Sequence, residues 1–430
     1  MADYSMTLVI FGALIASLLL GIPMGFSLGI SAIVGLLFTN IPLIFMAETF
    51  FSGAEIFPLI AIPGFILAGN IMLKTGITEK IINVIYALVG NVPGGFAVVT
   101  IFSCMFFASL SGSGPATTAA IGSIMIPAMK KANYPLDYAA GVASSGGTLG
   151  ILIPPSNPMI MYGIMANLSV AGLFMSGFLP GLILGGLLAL QCLIYGKIKG
   201  YVATGDRFSI QRLGRSIYDG ALVLLMPVFV LGSIYGGIAT ATEASIIAVV
   251  YAIILGVAYR KLTWRGFCES LIKAGELTGA VLVIMGPSMA FGKLLTMYEI
   301  PARVGQLIMA VSTDKNIVLL MISLFLLFVG TFMETLSTIV LLTPLFLPII
   351  KTIGCDPVHF GILFVVLSEI GFLTPPLGVN LYVASAISGL TLEEVSKGVI
   401  QFIILMCAVV VLFIYWPEIC TYGYYLVGSR

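Results

Sequence analysis

Long runs of this sequence contain no charged side chain, and this feature confines the chain to a membrane. Charge is absent between Asp3 and Glu48, between Lys80 and Lys130, from Tyr138 to Gly196, and between Lys397 and Glu418. A helix that crosses a bilayer needs about 20 apolar residues, and each run reaches that length. Only 9% of the 430 residues are charged, whereas soluble domains carry about 25%. The predicted fold class is therefore an all-α polytopic membrane protein.

The rarer residue types exclude several kinds of site. The six cysteines are scattered without paired spacing, so they are interpreted as packing residues and not as disulfides or metal ligands. A single histidine, His359, is too few for a zinc or haem site. The net charge of +1 gives no sign of a nucleic-acid partner. We expect no organic cofactor and no nucleic acid.

Membrane crossings can be placed from the apolar runs. They are predicted near 5–38, 56–73, 81–110, 136–166 (interrupted), 170–196, 218–238, 240–258, 270–295, 316–330, 358–388 (interrupted) and 398–416. Residues 40–55 carry two glutamates beside aromatic residues, which fits either an interfacial amphipathic helix or a plain loop. Basic residues cluster at 130–131, 197–219 and 260–265, and the positive-inside tendency places these clusters in the cytoplasm.

Two proline pairs lie inside apolar runs at matching positions. Residues 147–158 read GTLGILIPPSNP, and residues 371–380 read GFLTPPLGVN. Pro154 and Pro375 are 221 positions apart, and the same offset relates Gly150 to Gly371 and Thr117 to Thr338. The chain therefore contains two related halves, at about 56–166 and 280–388.

Each proline pair interrupts a helix where water is scarce. Unwound backbone persists at membrane depth only where protein or a water-filled cavity satisfies its polar groups. Matched interruptions in two halves are typical of the discontinuous helices of secondary transporters. The freed carbonyls suit a hard cation, and the helix N-termini suit an anion. The sequence thus predicts a binding site at the interruptions, with a simple kink in each half as the alternative.

A second irregular segment precedes each proline pair. It reads ASLSGSGPATTAAIGSIMIP at 108–127 and GTFMETLSTIVLLTPLFLP at 330–348. Each segment ends in an apolar stretch of about 12 residues, which is too short to cross a bilayer with ease. These segments are predicted to form re-entrant hairpins near 109–129 and 330–350, whose Ser, Thr and Gly tips approach a ligand. The alternative is a small-residue interface between packed helices.

Two acidic residues fall inside these segments. Glu334 lies in the second hairpin tip, and Glu369 lies just before the second proline pair. A carboxylate at membrane depth costs about 3 kcal/mol unless it is paired or hydrated. Each is a candidate cation ligand or proton acceptor, and the alternative for each is a buried partner of a lysine or of backbone amides.

Four motifs resemble the large membrane subunit of TRAP (tripartite ATP-independent periplasmic) transporters. In chain order they are SGSGPATTAAIGSIMIPAM, GGTLGILIPPS, ETLSTIVLLTPLFLPI and GFLTPPLGVNLYVAS. The resemblance implies an elevator-type carrier of the ion-transporter superfamily, with two inverted repeats that contain re-entrant hairpins and discontinuous helices. It also implies a bacterial inner-membrane location, sodium-driven uptake of an organic acid, delivery by a periplasmic substrate-binding protein, and a separate small four-helix membrane subunit.

Within that family the sequence is most similar to sialic acid (N-acetylneuraminate) carriers, although C4-dicarboxylate carriers share the motifs. The resemblance implies about two sodium sites. The first joins Ser109, Ser111 and Gly112 to a break at Gly147, Thr148 and Gly150. The second joins Gly330, Thr331 and Met333 to a break at Gly371 and Thr374. The substrate is expected between the hairpin tips, and its candidate ligands are Ser113, Gly114, Thr117, Ser156, Asn157, Thr335 and Asn380.

The predicted division of the chain follows the two halves. It comprises an N-terminal scaffold helix and interfacial arm (1–55), the first repeat (56–166), connecting scaffold helices with a basic loop (167–279), the second repeat (280–388) and a C-terminal scaffold helix (389–430). A carrier is not an enzyme. The two alternatives are an intramembrane enzyme acting on a lipid-linked substrate, for which Glu334 and Glu369 are the one plausible acidic pair, and a passive channel. Membrane lipid is an expected neighbour in every case.

Overall fold

The computed structural model describes residues 2–39, 41–201 and 209–428, and within these residues every regular element is a helix. The first ten helices are α1 (Ala2–Leu19), α2 (Met24–Leu37), α3 (Ile44–Ala54), α4 (Ala61–Lys74), α5 (Ile77–Val89), α6 (Gly95–Ser111), α7 (Gly114–Lys131), α8 (Leu136–Gly147), α9 (Leu149–Leu152) and α10 (Asn157–Ala166). The next four are α11 (Val170–Lys199), α12 (Ile210–Tyr235), α13 (Ala241–Ala258) and α14 (Trp264–Met297). The last seven are α15 (Ile300–Val311), α16 (Lys315–Gly330), α17 (Thr335–Thr352), α18 (Pro357–Gly371), α19 (Val379–Ser388), α20 (Leu392–Tyr415) and α21 (Glu418–Gly428).

The helices are those of a polytopic membrane protein. Across the described part of the chain, eight helical segments are long and apolar enough to cross a bilayer, and α15 with α16 would add a ninth despite a bend of 117° between them. The all-helical membrane fold that the charge-free runs predict is confirmed.

Two predicted crossings are divided in the structure. The run at 5–38 forms α1 and α2, which pack against each other, and the chain turns between them at Gly21 and Pro23. The run at 81–110 is divided in the same way between α5 and α6, around Pro93 and Gly94. Both single-span predictions were wrong because hydropathy does not register a turn made of apolar and glycine residues. Residues 44–54 form α3, which packs against α14.

The arms of the predicted hairpins are longer than expected. The second arms, α7 and α17, have 18 residues each, which is more than the apolar stretches of about 12 residues at their ends. Helix α17 is long and apolar enough to cross a bilayer, whereas α7 is not among the segments that are. Helix α7 continues past Pro127, and α17 continues past Pro344 and Pro348. Membrane helices tolerate such prolines where neighbouring groups satisfy the freed backbone.

The two halves match each other helix by helix. Helices α7 and α17 are displaced by the 221-residue offset at both of their ends, and α8 and α18 begin at positions related by the same offset. Helices α10 and α19 follow with an offset of 222. The sequence relation between the halves is thus repeated in their local structure.

Helices of each half also pack against helices of the other half. Helix α10 of the first half packs on α17 of the second, and α19 of the second half packs on α7 of the first. The broken segment 136–166 is central, since 89% of its most apolar window is buried, against 28% for the peripheral α12. Residues 202–208 of the basic loop, which include Asp206 and Arg207, lie outside the described residues.

Candidate functional site

The first hairpin tip (residues 111–113, the first tip) lies against the first interruption (residues 153–156, the first break). The Asn157 amide donates a hydrogen bond to the Gly112 carbonyl oxygen at 3.4 Å. Gly112 has a φ of +60°, and a Cβ atom on it would lie 2.9 Å from the Pro155 carbonyl oxygen. A residue with a side chain is therefore strained and crowded at this position. The closeness of tip and break depends on glycine here.

The helix is interrupted in two steps. It is divided at Thr148, between α8 and α9, which lies within the break expected at Gly147–Gly150. The backbone then becomes extended at Ile153, because proline disfavours helical geometry in the residue before it. The glycines at 147 and 150 also allow close packing. A Cβ atom on Gly150 would lie 2.5 Å from the Ser113 carbonyl oxygen.

The hydroxyl groups of the first tip bond to one another and to the backbone. Ser111 Oγ lies 2.9 Å from Thr117 Oγ1, which donates to the Ser113 carbonyl oxygen at 2.9 Å. Ser111 and Thr117 are buried. Ser109 Oγ donates to the Phe106 carbonyl oxygen of its own helix at 2.6 Å. The tip is a compact polar group of the kind that can present oxygen atoms to a cation.

The second tip (residues 331–334) meets the second break (residues 372–378) in a related way. The Leu377 amide donates to the Thr331 carbonyl oxygen at 2.9 Å. A Cβ atom on Gly371 would lie 2.5 Å from the Gly330 carbonyl carbon and oxygen. The hydroxyls of Thr331 and Thr374 donate to carbonyls in the preceding helical turns, those of Phe328 and Ile370. Met333 is half-buried.

The two halves of the site differ in exposure. At the first break, Pro154, Pro155 and Ser156 are buried. At the second break, Pro375 and Pro376 are exposed. A cavity of about 610 Å³ lies beside this second half, and it is lined by Met321, Leu324, Phe325, Leu327, Phe328, Thr331, Ile370, Thr374, Ile403 and Cys407. The first half of the site is closed, and the second half is open.

The two glutamates have different surroundings. Glu334 is exposed and caps α17, since its Oε2 accepts from the Ser337 amide at 3.0 Å and from the Ser337 hydroxyl at 3.2 Å. Glu369 is only 2% exposed, and Asn380 Nδ2 donates to its Oε2 at 3.5 Å. Glu334 thus accepts from a backbone amide at the start of α17, but it is exposed and not the buried partner that its alternative described. Glu369 has no basic partner within the described part of the chain.

The candidate substrate residues lie at or near the starts of four helices, α7, α10, α17 and α19. Ser156 is fully buried, and its hydroxyl caps α10 by accepting from the Met159 amide. Gly114, Thr335 and Asn380 lie near Glu369. The side-chain oxygens of Asn157 and Asn380 are buried without a hydrogen-bond partner. Such atoms are costly unless a ligand or water completes them.

Sequence reasoning missed three buried polar residues beside the site. The hydroxyls of Thr118 and Ser145 are buried without a partner, and Ser144 Oγ lies 3.4 Å from the Asn380 carbonyl oxygen. Their signal was present in the sequence, because Ser144, Ser145 and two glycines fall together in a charge-free run.

The donor set fits a hard cation. Described residues contain no group of three or more His, Cys, Asp or Glu side chains that could hold a metal ion. The polar groups at the tips and breaks are instead carbonyl, hydroxyl and amide oxygens, which hard cations prefer.

Comparison with known proteins identifies the family. The profile of the tripartite ATP-independent periplasmic transporter DctM component matches residues 11–419. The chain belongs to this family. It is the large permease of a TRAP transporter, a multi-pass protein of the inner membrane, as the four motifs predicted.

Relatives with stated substrates cover nearly the whole chain. The isethionate TRAP transporter permease protein DctMQ of Oleidesulfovibrio alaskensis is 41% identical over 97% of this chain, which spans 66% of that longer relative. The C4-dicarboxylate TRAP transporter large permease protein DctM of Rhodobacter capsulatus is 36% identical, covering 96% of this chain and 97% of the relative. The sialic acid TRAP transporter large permease protein SiaM of Vibrio cholerae is 36% identical, covering 95% and 96%.

A solved structure shares the fold. The YdaH transporter of Alcanivorax borkumensis, described as having an unusual topology, aligns with a TM-score of 0.63 over 87% of each chain at 12% identity. This likeness concerns the fold alone.

Proposed function

We propose that this TRAP permease carries out sodium-coupled secondary uptake of an organic acid. One observation supports the proposal above the others. In each half, main-chain groups freed by a proline pair meet the tip of a hairpin, as in the Asn157–Gly112 and Leu377–Thr331 hydrogen bonds. Irregular backbone at this depth is typical of transporter ion sites.

The first cation is assigned to the first tip, near Ser109, Ser111 and Gly112, with Gly147 to Gly150 packed behind it. The second is assigned to Gly330, Thr331 and Met333 with Gly371 to Thr374. Carbonyl and hydroxyl oxygens would hold both ions without a full negative charge. Movement of these ions down the sodium gradient, as they bind on one side of the membrane and leave on the other, would supply the free energy for uptake.

The organic acid is placed between the two tips. Helices α7, α10 and α17 begin there with their amide groups unpaired by the helix, and helix N-termini attract anions. The Asn157 and Asn380 side-chain oxygens, which have no hydrogen-bond partner, would accept from hydroxyl or amide groups of the substrate. The remaining candidates are Ser113, Gly114, Thr117, Ser156 and Thr335.

An elevator movement is supported by the packing. The hairpins and broken helices interlock across the two halves, so they form one body. Helices α1 to α3, α12 and α13, the outer layer, pack largely on one another and on α4, α5 and α14, and α14 also packs on α17 of the interlocked body. We propose that the interlocked body moves against this outer layer.

The partners follow from the family. A small four-helix membrane subunit would cover part of the outer layer, where α1 to α3 expose large apolar side chains such as Leu8, Phe26 and Phe51. A periplasmic binding protein would deliver the substrate, and membrane lipid would surround the rest.

The substrate proposal is an organic anion. The relatives are named for isethionate, C4-dicarboxylate and sialic acid, and the sialic acid relative is no more similar than the dicarboxylate one. The sequence-based preference for N-acetylneuraminate is therefore one candidate within this wider class.

Reconstitution tests the proposal. The permease, its small subunit and its binding protein are placed in vesicles, and uptake of N-acetylneuraminate, a C4-dicarboxylate and isethionate is measured with and without an inward sodium gradient. We expect saturable uptake of one acid that requires the gradient and is lost when a partner is omitted. Uptake that follows a pH gradient and ignores sodium would refute sodium coupling and favour Glu334 or Glu369 as a proton carrier.

A further inference from the structure

The first half of the site is covered by α11, which packs closely against it. Two glycines of α11, one helical turn apart, make this packing possible. A Cβ atom on Gly181 would lie 2.7 Å from the Ile153 side chain at the first break, and Gly185 packs in the same way on Met105 of α6. The space between α11 and the first half is therefore filled by protein.

The equivalent helix of the second half, α20, packs differently. The 221-residue offset relates Gly181 and Gly185 of α11 to Phe402 and Met406 of α20, and both of these larger side chains are buried. The Phe402 ring lies 5.9 Å from that of Tyr138 in α8. Helix α20 packs mainly on α8 of the first half and much less on α16 and α18. The space between α20 and α16 is consequently left open.

This open space is the cavity of about 610 Å³ beside the second half, and it forms a lateral groove between α16 and α20. Its wall on α16 runs from Met321 to Thr331, mostly at spacings of three or four residues, so it follows one face of the helix. Ten residues of helix extend about 15 Å. The lateral groove is therefore a trough along α16 that ends at the second tip.

The lateral groove lies at the depth of lipid chains. Helix α16 begins with a polar turn at residues 314–316 and contains no charged residue from 317 to 330. The opposite wall, Ile403 and Cys407, lies at the centre of the crossing helix α20. The hydrocarbon of one leaflet is about 15 Å thick, half that of the bilayer core. The length of the lateral groove thus matches one leaflet, and its deep end lies near the middle of the bilayer.

The walls favour an apolar occupant. Among the described residues that line the groove, none is charged, and only Thr331 and Thr374 carry a hydroxyl. Both hydroxyls already donate to carbonyl oxygens of their own helices, at 2.8 and 3.1 Å. Water is retained in a cavity only where several polar groups bind it. An apolar molecule is the occupant that these walls can stabilise.

The size of the lateral groove favours a chain over a helix. A helix about 10 Å in diameter and 15 Å long occupies about 1,200 Å³, roughly twice the volume of the groove. The groove opens beside Leu324, Phe328 and Ile404, which are exposed apolar side chains of α16 and α20. It is therefore continuous with the apolar surface that the two helices present to the bilayer.

We propose that the lateral groove binds one acyl chain of a membrane phospholipid. The chain covers the second tip and the second break from the side, as α11 covers the first break. Apolar burial stabilises the bound chain, and the head group stays at the membrane surface. This binding is independent of which ion or acid the permease carries, so failure of the proposed function would not affect it.

Native mass spectrometry of the permease with its small subunit tests the site by counting the phospholipids that remain after mild delipidation. We expect wild type to retain one phospholipid more than Cys407→Trp and Ile403→Trp, whose indole rings would fill the groove. Ile404→Trp is the matched control, because this exposed position of α20 is not among the lining residues, and it should retain the wild-type number. Equal numbers in wild type and both groove variants would overturn the proposal, as would a phospholipid that the permease alone retains and the small subunit displaces.

A second measurement needs no variant and serves if the tryptophan variants do not fold. Thermal unfolding of the delipidated complex is followed with added lysophosphatidylethanolamine that carries a palmitoyl or an octanoyl chain, and with palmitoyl lysophosphatidylglycerol. We expect both palmitoyl lipids to raise the unfolding temperature by about 2 °C or more and the octanoyl lipid to have a much smaller effect, because its chain fills less of the groove. Equal effects of the two chain lengths, or an effect set by the head group, would overturn the acyl-chain site.

Discussion

Replacing Gly371 by alanine tests the tightest contact of the second half of the site. A Cβ atom at this position would lie 2.5 Å from the carbonyl carbon and oxygen of Gly330. Carbon atoms in contact normally lie about 3.5–4.0 Å apart, so the overlap is about 1 Å. The atoms that clash belong to backbone and cannot rotate away. Overpacking typically costs about 1–3 kcal/mol, and we place Gly371→Ala at the upper end of that range.

The reverse substitution gives an internal comparison. A Cβ atom on Gly330 would lie 3.3 Å from the nearest atom, the Cα of Gly371, so a shift of a few tenths of an ångström relieves it. We expect Gly330→Ala to cost about 1 kcal/mol. Gly275→Ala is the matched control, since nothing lies within 4 Å of its new Cβ atom, and alanine stabilises a helix interior by about 0.5–1 kcal/mol.

The assay measures thermal unfolding of the three purified variants and their uptake in the reconstituted complex. Stability should rank Gly275→Ala at or above wild type, then Gly330→Ala, then Gly371→Ala, and only Gly371→Ala should lose most of its uptake. A Gly371→Ala protein that unfolds at the wild-type temperature and transports normally would show that α18 does not approach α16 as described. The assignment of a cation to that contact would then be refuted.

Three further substitutions probe the tips. Ser111→Ala removes the hydroxyl that lies 2.9 Å from Thr117 Oγ1, so the half-saturating sodium concentration for uptake should rise several-fold. The control Ser123→Ala, on the exposed side of α7, should not change it. Equal sodium dependence of uptake in the two variants would contradict the first cation site. Gly112→Ala forces a side chain into φ +60° against the Pro155 carbonyl and should lower stability by about 1–3 kcal/mol in unfolding experiments; a neutral result would argue against the closed first half. Glu334→Gln weakens the cap of α17 and should cost about 1 kcal/mol, with sodium coupling retained; loss of coupling would instead make Glu334 a cation ligand.

The membrane fold and the matched halves were predictable because each depends on a pattern that is visible in the amino-acid sequence itself. Charge-free runs report burial in lipid, and the proline pairs report where a helix must stop. Helices α7 and α17 consequently have the bounds that the sequence offset requires. Neither prediction required knowing which residues that are distant in the sequence are in contact.

Other features depend on contacts between distant residues. Gly147 and Gly150 flank the boundary between α8 and α9, and they also allow close packing, because a Cβ atom at either position would overlap Thr118 or Ser113. The prolines within α7 and α17 suggest helix ends in the sequence, but both helices continue past them. The difference in exposure between the two breaks follows from what packs outside them, and no local pattern reports it.

The exchange of partners between the halves bears on how the protein is made. Helix α10 ends at residue 166, but the helix on which it packs, α17, begins only at residue 335. Chains emerge from the ribosome from the N-terminus at about 5–20 residues per second, so the first half waits roughly ten seconds or more in the bilayer before its partner exists. During that interval the face of α10 that packs on α17 has no cover from the second half, which makes the newly synthesised first half the stage at which insertion factors and quality-control proteases have most access to it.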